Sequence, residues 1–105
     1  MSGFADVTKY GIKTEHGKPS GKIYPIACKT WFTASGNPRP LSFKFKGDDD
    51  SIQYVEHVTV NDTEDKNYSG IPSKEYRCQA VVGGILREFK LIFYLETCIW
   101  VMVIQ

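Results

Sequence analysis

The stretch "EYRCQAVVGGILREFKLIFYLETCIWVMVIQ", residues 75–105, decides the fold. In its first part Tyr76 and Cys78 alternate with polar residues, which is the two-residue period of a half-buried β-strand. The pair Gly83 and Gly84 tolerates positive φ at both positions and predicts a two-residue hairpin turn. The apolar residues after it predict two further strands joined by a short turn. The end of the chain is therefore predicted to be three consecutive antiparallel strands.

The same pattern continues upstream. Residues 41–47, "LSFKFKG", alternate strictly and predict a strand with one wet face. Residues 51–60, "SIQYVEHVTV", predict a strand whose apolar face is restored by a bulge near Val55. Residues 22–33, "KIYPIACKTWFT", are rich in β-branched and aromatic residues, and Pro25 indicates an edge position or a bulge because proline has no N–H to donate.

The remaining segments set the domain organisation. Residues 61–73, "NDTEDKNYSGIPS", predict a long polar loop, and no segment has a helical period of ten or more residues. About six consecutive strands with short turns predict an all-β fold, a small antiparallel meander that forms a closed or partly open barrel of SH3-like or similar type. We expect residues 22–105 to be this single domain and residues 1–21 to be an N-terminal extension, loosely docked or partly disordered.

Charge and cysteine content narrow the class of protein. The 105 residues carry 13 basic and 12 acidic side chains, a net charge of +1, whereas nucleic-acid binders usually have a clear basic excess. The three cysteines, Cys28, Cys78 and Cys98, form no CxxC pair, which disfavours a disulfide framework and a zinc site. The first residues contain no apolar signal segment. We expect a cytoplasmic protein with reduced thiols, in which Cys78 packs in the core.

No reactive constellation stands out. His57 has no ligand partner at usable spacing and is expected to point into solvent. The run of aspartates at positions 48–50 lacks the spacing of a calcium loop and predicts a solvated turn. Neither a catalytic triad order nor a phosphate-binding glycine motif is present. We therefore expect no catalytic, metal-binding or cofactor-binding residue, and an enzyme is disfavoured without being excluded.

One pattern favours nucleic acid. Lys44, Lys46 and Arg77 are all predicted on wet strand faces, where basic side chains near aromatic rings can bind single strands. The alternative is that these charges only keep exposed strands soluble. Glu75 and Glu88 lie on the same strands, which weakens a patch of one sign.

The last strand has two apolar faces. The apolar run that includes this strand is interrupted upstream by charged residues, so it is shorter than the roughly twenty apolar residues that a membrane helix needs. A strand that is wet on one side would not be apolar on both. We therefore expect the second face to be covered by the N-terminal arm or by a second subunit, so that the partner is another copy or another protein. The residues of this possible interface are Ile99, Val101 and Val103.

The strand pattern resembles a family of small bacterial β-barrel proteins with no assigned activity. The likeness is carried by "RPLSFKF" (39–45), "IQYVEHV" (52–58), "EYRC" (75–78), "GGILREFKLIFY" (83–94) and Trp100. It implies a barrel and transfers no catalytic residue. The expected function is that of a binding or assembly module without catalytic activity, and the alternative is a small barrel that binds nucleic acid.

Overall fold

The computed structural model describes residues 21–104, and none of these residues is helical. The all-β class is confirmed. The predicted extension, apart from Gly21, lies outside the described residues, as does Gln105. The strands are β1 (Lys22–Phe32), β2 (Pro38–Lys46), β3 (Ile52–Val55), β4 (Thr59–Tyr68), β5 (Ile71–Val82), β6 (Ile85–Tyr94) and β7 (Ile99–Ile104).

The strands form one antiparallel sheet in the order β3-β2-β1-β7-β6-β5-β4. Strands that follow one another in the chain are neighbours, except β3 and β4, which are the two edges. Residues 56–58 alone connect those edges, and so short a link spans at most about 14 Å from Val55 to Thr59. The sheet must therefore curl until its edges approach each other. The predicted meander is confirmed, and the sheet is not closed by hydrogen bonds.

The concave face of the sheet holds the core. Alternate residues of β2, β5, β6 and β7 point into it, as the two-residue period requires. Phe43, Leu91 and Met102 are almost fully buried, and Cys78 is only 2% exposed, which confirms its predicted place in the core. The other buried members of this cluster are Phe45, Val55, Tyr76, Ala80, Val82, Phe89, Phe93 and Trp100.

The strand predicted at residues 51–60 and the polar loop predicted after it are wrong in detail. Residues 51–60 do not form one bulged strand, because β3 ends at Val55 and His57 has a left-handed backbone with φ of 56°. The expected polar loop is instead most of β4, joined to β5 by a tight turn at Ser69 and Gly70, both with positive φ. β4 is an edge strand with many solvated charges, so burial imposes no alternation on it. The sheet therefore has seven strands.

Pro25 lies on an internal strand, which corrects its expected edge or bulge position. It is the last residue of β1 that pairs with β7, opposite Val101, and Ile26 is the first that pairs with β2, opposite Phe45. A proline at the end of a ladder removes no interior hydrogen bond. The pairing partner of β1 thus changes from β7 to β2 between Pro25 and Ile26, and the second half of β1 forms an exposed surface together with β2.

Candidate nucleic-acid interface

Charge is distributed unevenly over the sheet. Strands β1, β2 and β3 contain five basic residues and no acidic residue, whereas β4 to β7 contain five of each. The net charge of +1 conceals this division. A cationic surface next to a neutral one is the electrostatic footprint expected of a site for an anionic polymer.

Four of the five basic residues belong to one exposed surface, which we call the basic face. It lies on the outer side of β1 and β2 and consists of Lys29, Arg39, Lys44 and Lys46, all exposed. Strand alternation places the lysines of β2 there, because Phe43 and Phe45, which alternate with them, point into the core. Within the described residues, none of the four forms an ion pair or a side-chain hydrogen bond. Their charges are therefore available to a ligand.

Two aromatic side chains stand beside these cations. Trp31 is 63% exposed and is the cross-strand neighbour of Arg39, and Tyr54 is 61% exposed and is the neighbour of Lys44. Directly opposed residues in an antiparallel pair have Cβ atoms about 5 Å apart. Each ring thus lies within reach of a cation, and both rings are exposed, so that a planar group of a ligand can stack on them.

A shallow groove of about 420 Å³ crosses the middle of the basic face. Ala27 and Ser42 contribute to its lining, and Lys29, Lys44 and Tyr54 stand around it. The small side chain of Ala27 leaves room between the two lysines, since Ala27 is the cross-strand neighbour of Lys44. The groove is large enough for a flat ring that stacks on Tyr54 while both lysines contact an anionic group.

Acidic residues lie at both ends of this surface: Asp48, Asp49 and Asp50 follow Lys46 at one end, and Asp65 lines a groove with Arg39 at the other. Asp48, in the turn after β2, accepts a hydrogen bond of 2.8 Å from Lys22 Nζ, which lowers the pKa of the Asp48 carboxyl. Asp49 accepts from the Ser51 hydroxyl and backbone N–H, and these bonds lower its pKa as well. Asp48 is thus paired with Lys22 of β1, whereas Asp49 is held by Ser51 and keeps its negative charge beside the Lys46 end of the basic face.

Arg77 is not brought together with Lys44 and Lys46. It lies on β5, separated from β2 by three strands, and its Nε is 4.0 Å from Asp62 Oδ2. Glu75, expected on the same wet face, is instead only 3% exposed. The basic face therefore includes two of the three basic residues that the sequence indicated, together with Lys29 and Arg39, which it did not.

The predicted interface residues on β7 differ in exposure. Ile99 is 53% exposed, Val101 is half-buried and Val103 is only 1% exposed. All three point away from the core residues Trp100 and Met102. The side of β7 that faces away from the core is therefore most buried at Val103.

Two of the thiols, those of Cys28 and Cys78, are not activated. Burial raises the pKa of Cys28, and it raises the pKa of Cys78 to about 12, so both thiols are protonated at neutral pH. The side chain of His57 is 94% exposed, as expected. Residues 21–104 hold no group of three or more His, Cys, Asp or Glu side chains arranged for a metal ion. Nor do they include a helix long and apolar enough to cross a membrane.

Comparison with known proteins identifies no relative: no family model, no curated protein and no solved structure matches the chain. The resemblance to small bacterial β-barrel proteins stays a prediction from strand pattern.

Proposed function

We propose that this chain is a non-catalytic binding protein that binds single-stranded nucleic acid on its basic face. The observation that carries the proposal is the combination of four cations that have no ion-pair partner among residues 21–104 with two exposed aromatic rings, on strands β1 to β3, which contain no acidic residue. Cations supply affinity for phosphates, and aromatic rings supply stacking for unpaired bases.

The rings favour single strands over duplex. Bases in a duplex are stacked on one another and present only their edges, whereas bases of a single strand are free to stack on Trp31 and Tyr54. The positions of the two rings along β2 also suit an extended single strand. Trp31 adjoins Arg39 near the beginning of β2, and Tyr54 adjoins Lys44 near its end. A strand laid along β2 would pass both rings and all four cations.

Of the two expectations from the sequence, this surface supports the nucleic-acid alternative more directly than assembly through β7. Val103, one of the three residues of the expected interface, is already buried, whereas the side chains of the basic face are exposed. A binding role needs no activated nucleophile, which agrees with the protonated state of Cys28 and Cys78 at neutral pH. A cytoplasmic location stays a prediction.

The experiment is binding of a fluorescent oligothymidylate, measured by anisotropy at roughly 50 mM salt, where phosphate contacts are strong. The chain is expected to bind, and the double variant Lys44→Gln/Lys46→Gln is expected to bind much more weakly. The matched control Arg77→Gln/Arg87→Gln removes two exposed cations from β5 and β6 and is expected to bind as the unaltered chain does. No binding at low salt, or equal losses in both double variants, would contradict the proposal.

A second arm separates stacking from charge. Trp31→Ala is expected to weaken binding about tenfold, since one base stacked on an aromatic ring contributes about 1–3 kcal/mol. Polyglutamate, which is anionic but has no bases, is expected to compete poorly. Equal competition by polyglutamate and oligothymidylate would show that charge alone is recognised.

A further inference from the structure

The outer side of β5, β6 and β7, which we call the second face, contains side chains that are buried away from the core. Ile92 and Val103 are 0% and 1% exposed, yet neither belongs to the core cluster. Ile92 pairs with Val101, and Val103 pairs with Lys90. Because paired residues, and residues two apart on one strand, point to the same side of a sheet, Ile92 and Val103 share the outer side. Apolar side chains on an uncovered sheet face would retain substantial exposure.

Two polar residues on the same face are equally buried. Glu75 is 3% exposed, accepts a hydrogen bond from the Tyr68 hydroxyl and lies 3.5 Å from Lys90 Nζ. Ser73 is 2% exposed, and its Oγ has no hydrogen-bond partner within the described part of the chain. A carboxylate and an unpaired hydroxyl are costly to withdraw from water, so this burial also calls for a cover that brings polar groups with it.

No described strand supplies that cover. Extensive contacts between strands run between sheet neighbours, with one exception, that of β3 with β5. That contact lies at the open edge, where Tyr54 lines a groove together with Ala80 and Val81. The second face, further along β5 and across β6 and β7, is not beneath it.

We propose that residues 1–20 fold back over the second face and bury Ile92, Val101 and Val103. The described chain begins beside this surface, because Ile23 pairs with Val103. Gly21, with φ of 106°, has the positive φ that allows the backbone to reverse there. Twenty extended residues reach about 66 Å, and the domain measures 38 × 34 × 20 Å, so the segment is long enough.

The composition of the segment suits the surface. Residues 1–20 carry apolar side chains for the valines and Ile92, and hydroxyl and ammonium donors for Ser73 and Glu75. A tethered segment is present at an effective concentration in the millimolar range, which favours it over a second copy at micromolar concentration. The apolar residues concerned are Phe4, Val7, Tyr10 and Ile12. The inference is independent of nucleic-acid binding on the opposite part of the sheet.

The experiment places a benzophenone amino acid at Val101 of the full chain and maps its photo-cross-links by mass spectrometry. Cross-links to residues 1–20 within a product of monomer mass are expected. The same label at Leu86, which is 65% exposed at the hairpin tip, is the control and is expected to give none to this segment. Cross-links between two copies, or none to residues 1–20 from position 101, would overturn the proposal.

A second variant leaves the strands unchanged. Replacement of Phe4, Val7, Tyr10 and Ile12 by serine in the full chain is expected to uncover the second face, raise binding of the dye anilinonaphthalene sulfonate several-fold and increase the mass in solution. Unchanged dye binding and unchanged mass would overturn the proposal even if the labelled chain failed to fold.

Discussion

Salt dependence gives the most quantitative prediction about the basic face. If Lys29, Arg39, Lys44 and Lys46 each contact one phosphate of a single strand, the slope of log K against log salt is about −2.8, from about −0.7 per contact. Affinity should then fall about 50-fold between about 50 and 200 mM salt. Lys44→Gln removes one contact and should change the slope to about −2.1, with a fall of about 18-fold over the same range.

The assay is a series of anisotropy titrations of a labelled oligothymidylate from about 50 to 300 mM salt, the range in which counterion release dominates. Arg77→Gln is the control, because Arg77 already has Asp62 at 4.0 Å and lies three strands from β2. Its slope should equal that of the unaltered chain. A slope near zero, or the same change of slope in Lys44→Gln and Arg77→Gln, would refute the assignment of phosphate contacts to the basic face.

Three further predictions concern stability. Burial raises the pKa of the Cys78 thiol to about 12, so above pH 9 the unfolded chain loses this proton first, and the free energy of unfolding falls as pH rises toward 12. The Cys78→Ala variant should be less stable than the unaltered chain at pH 8. In chemical denaturation its free energy of unfolding should gain about 2–3 kcal/mol relative to the unaltered chain by pH 11, and a constant difference would contradict this. Tyr76→Phe should cost about 1–2 kcal/mol in the same assay, because the Tyr76 hydroxyl donates to the Pro38 carbonyl in a buried position, and an unchanged unfolding midpoint would count against that bond. Gly84→Ala should cost about 1 kcal/mol, because Gly84 has φ of 82° and the added methyl group would meet no other atom within 4 Å, which leaves backbone strain as the cost; a neutral result would exclude it.

Much of the fold was predictable because burial on one side imposes a period of two. The alternation in residues 41–46 and the pair Gly83-Gly84 indicated a strand and a hairpin that the structure confirms. β4 was not predictable in this way. Its formation depends on pairing with β5 along one side only, and its solvated charges leave no periodic signal.

The candidate site was predictable only in part. Alternation assigned Lys44 and Lys46 to an exposed face, but it could not say which other strands share that region. Arg77 is on β5 and Arg39 on β2, and only the strand order separates them. Trp31 lies in a stretch where nearly every residue is apolar or β-branched, so its face depends on the register with β2. The net charge of +1 for the whole chain does not reveal that β1 to β3 are cationic.

The most direct test of the central proposal uses the two tryptophans, which differ in environment. Trp31 is 63% exposed on the basic face, whereas Trp100 is 5% exposed in the core. In a ¹H–¹⁵N NMR titration with oligothymidylate, the indole Nε1–H resonance of Trp31 should shift progressively to saturation while that of Trp100 stays unchanged. Saturable binding that leaves the Trp31 indole resonance unmoved, or no binding at low salt, would contradict the account.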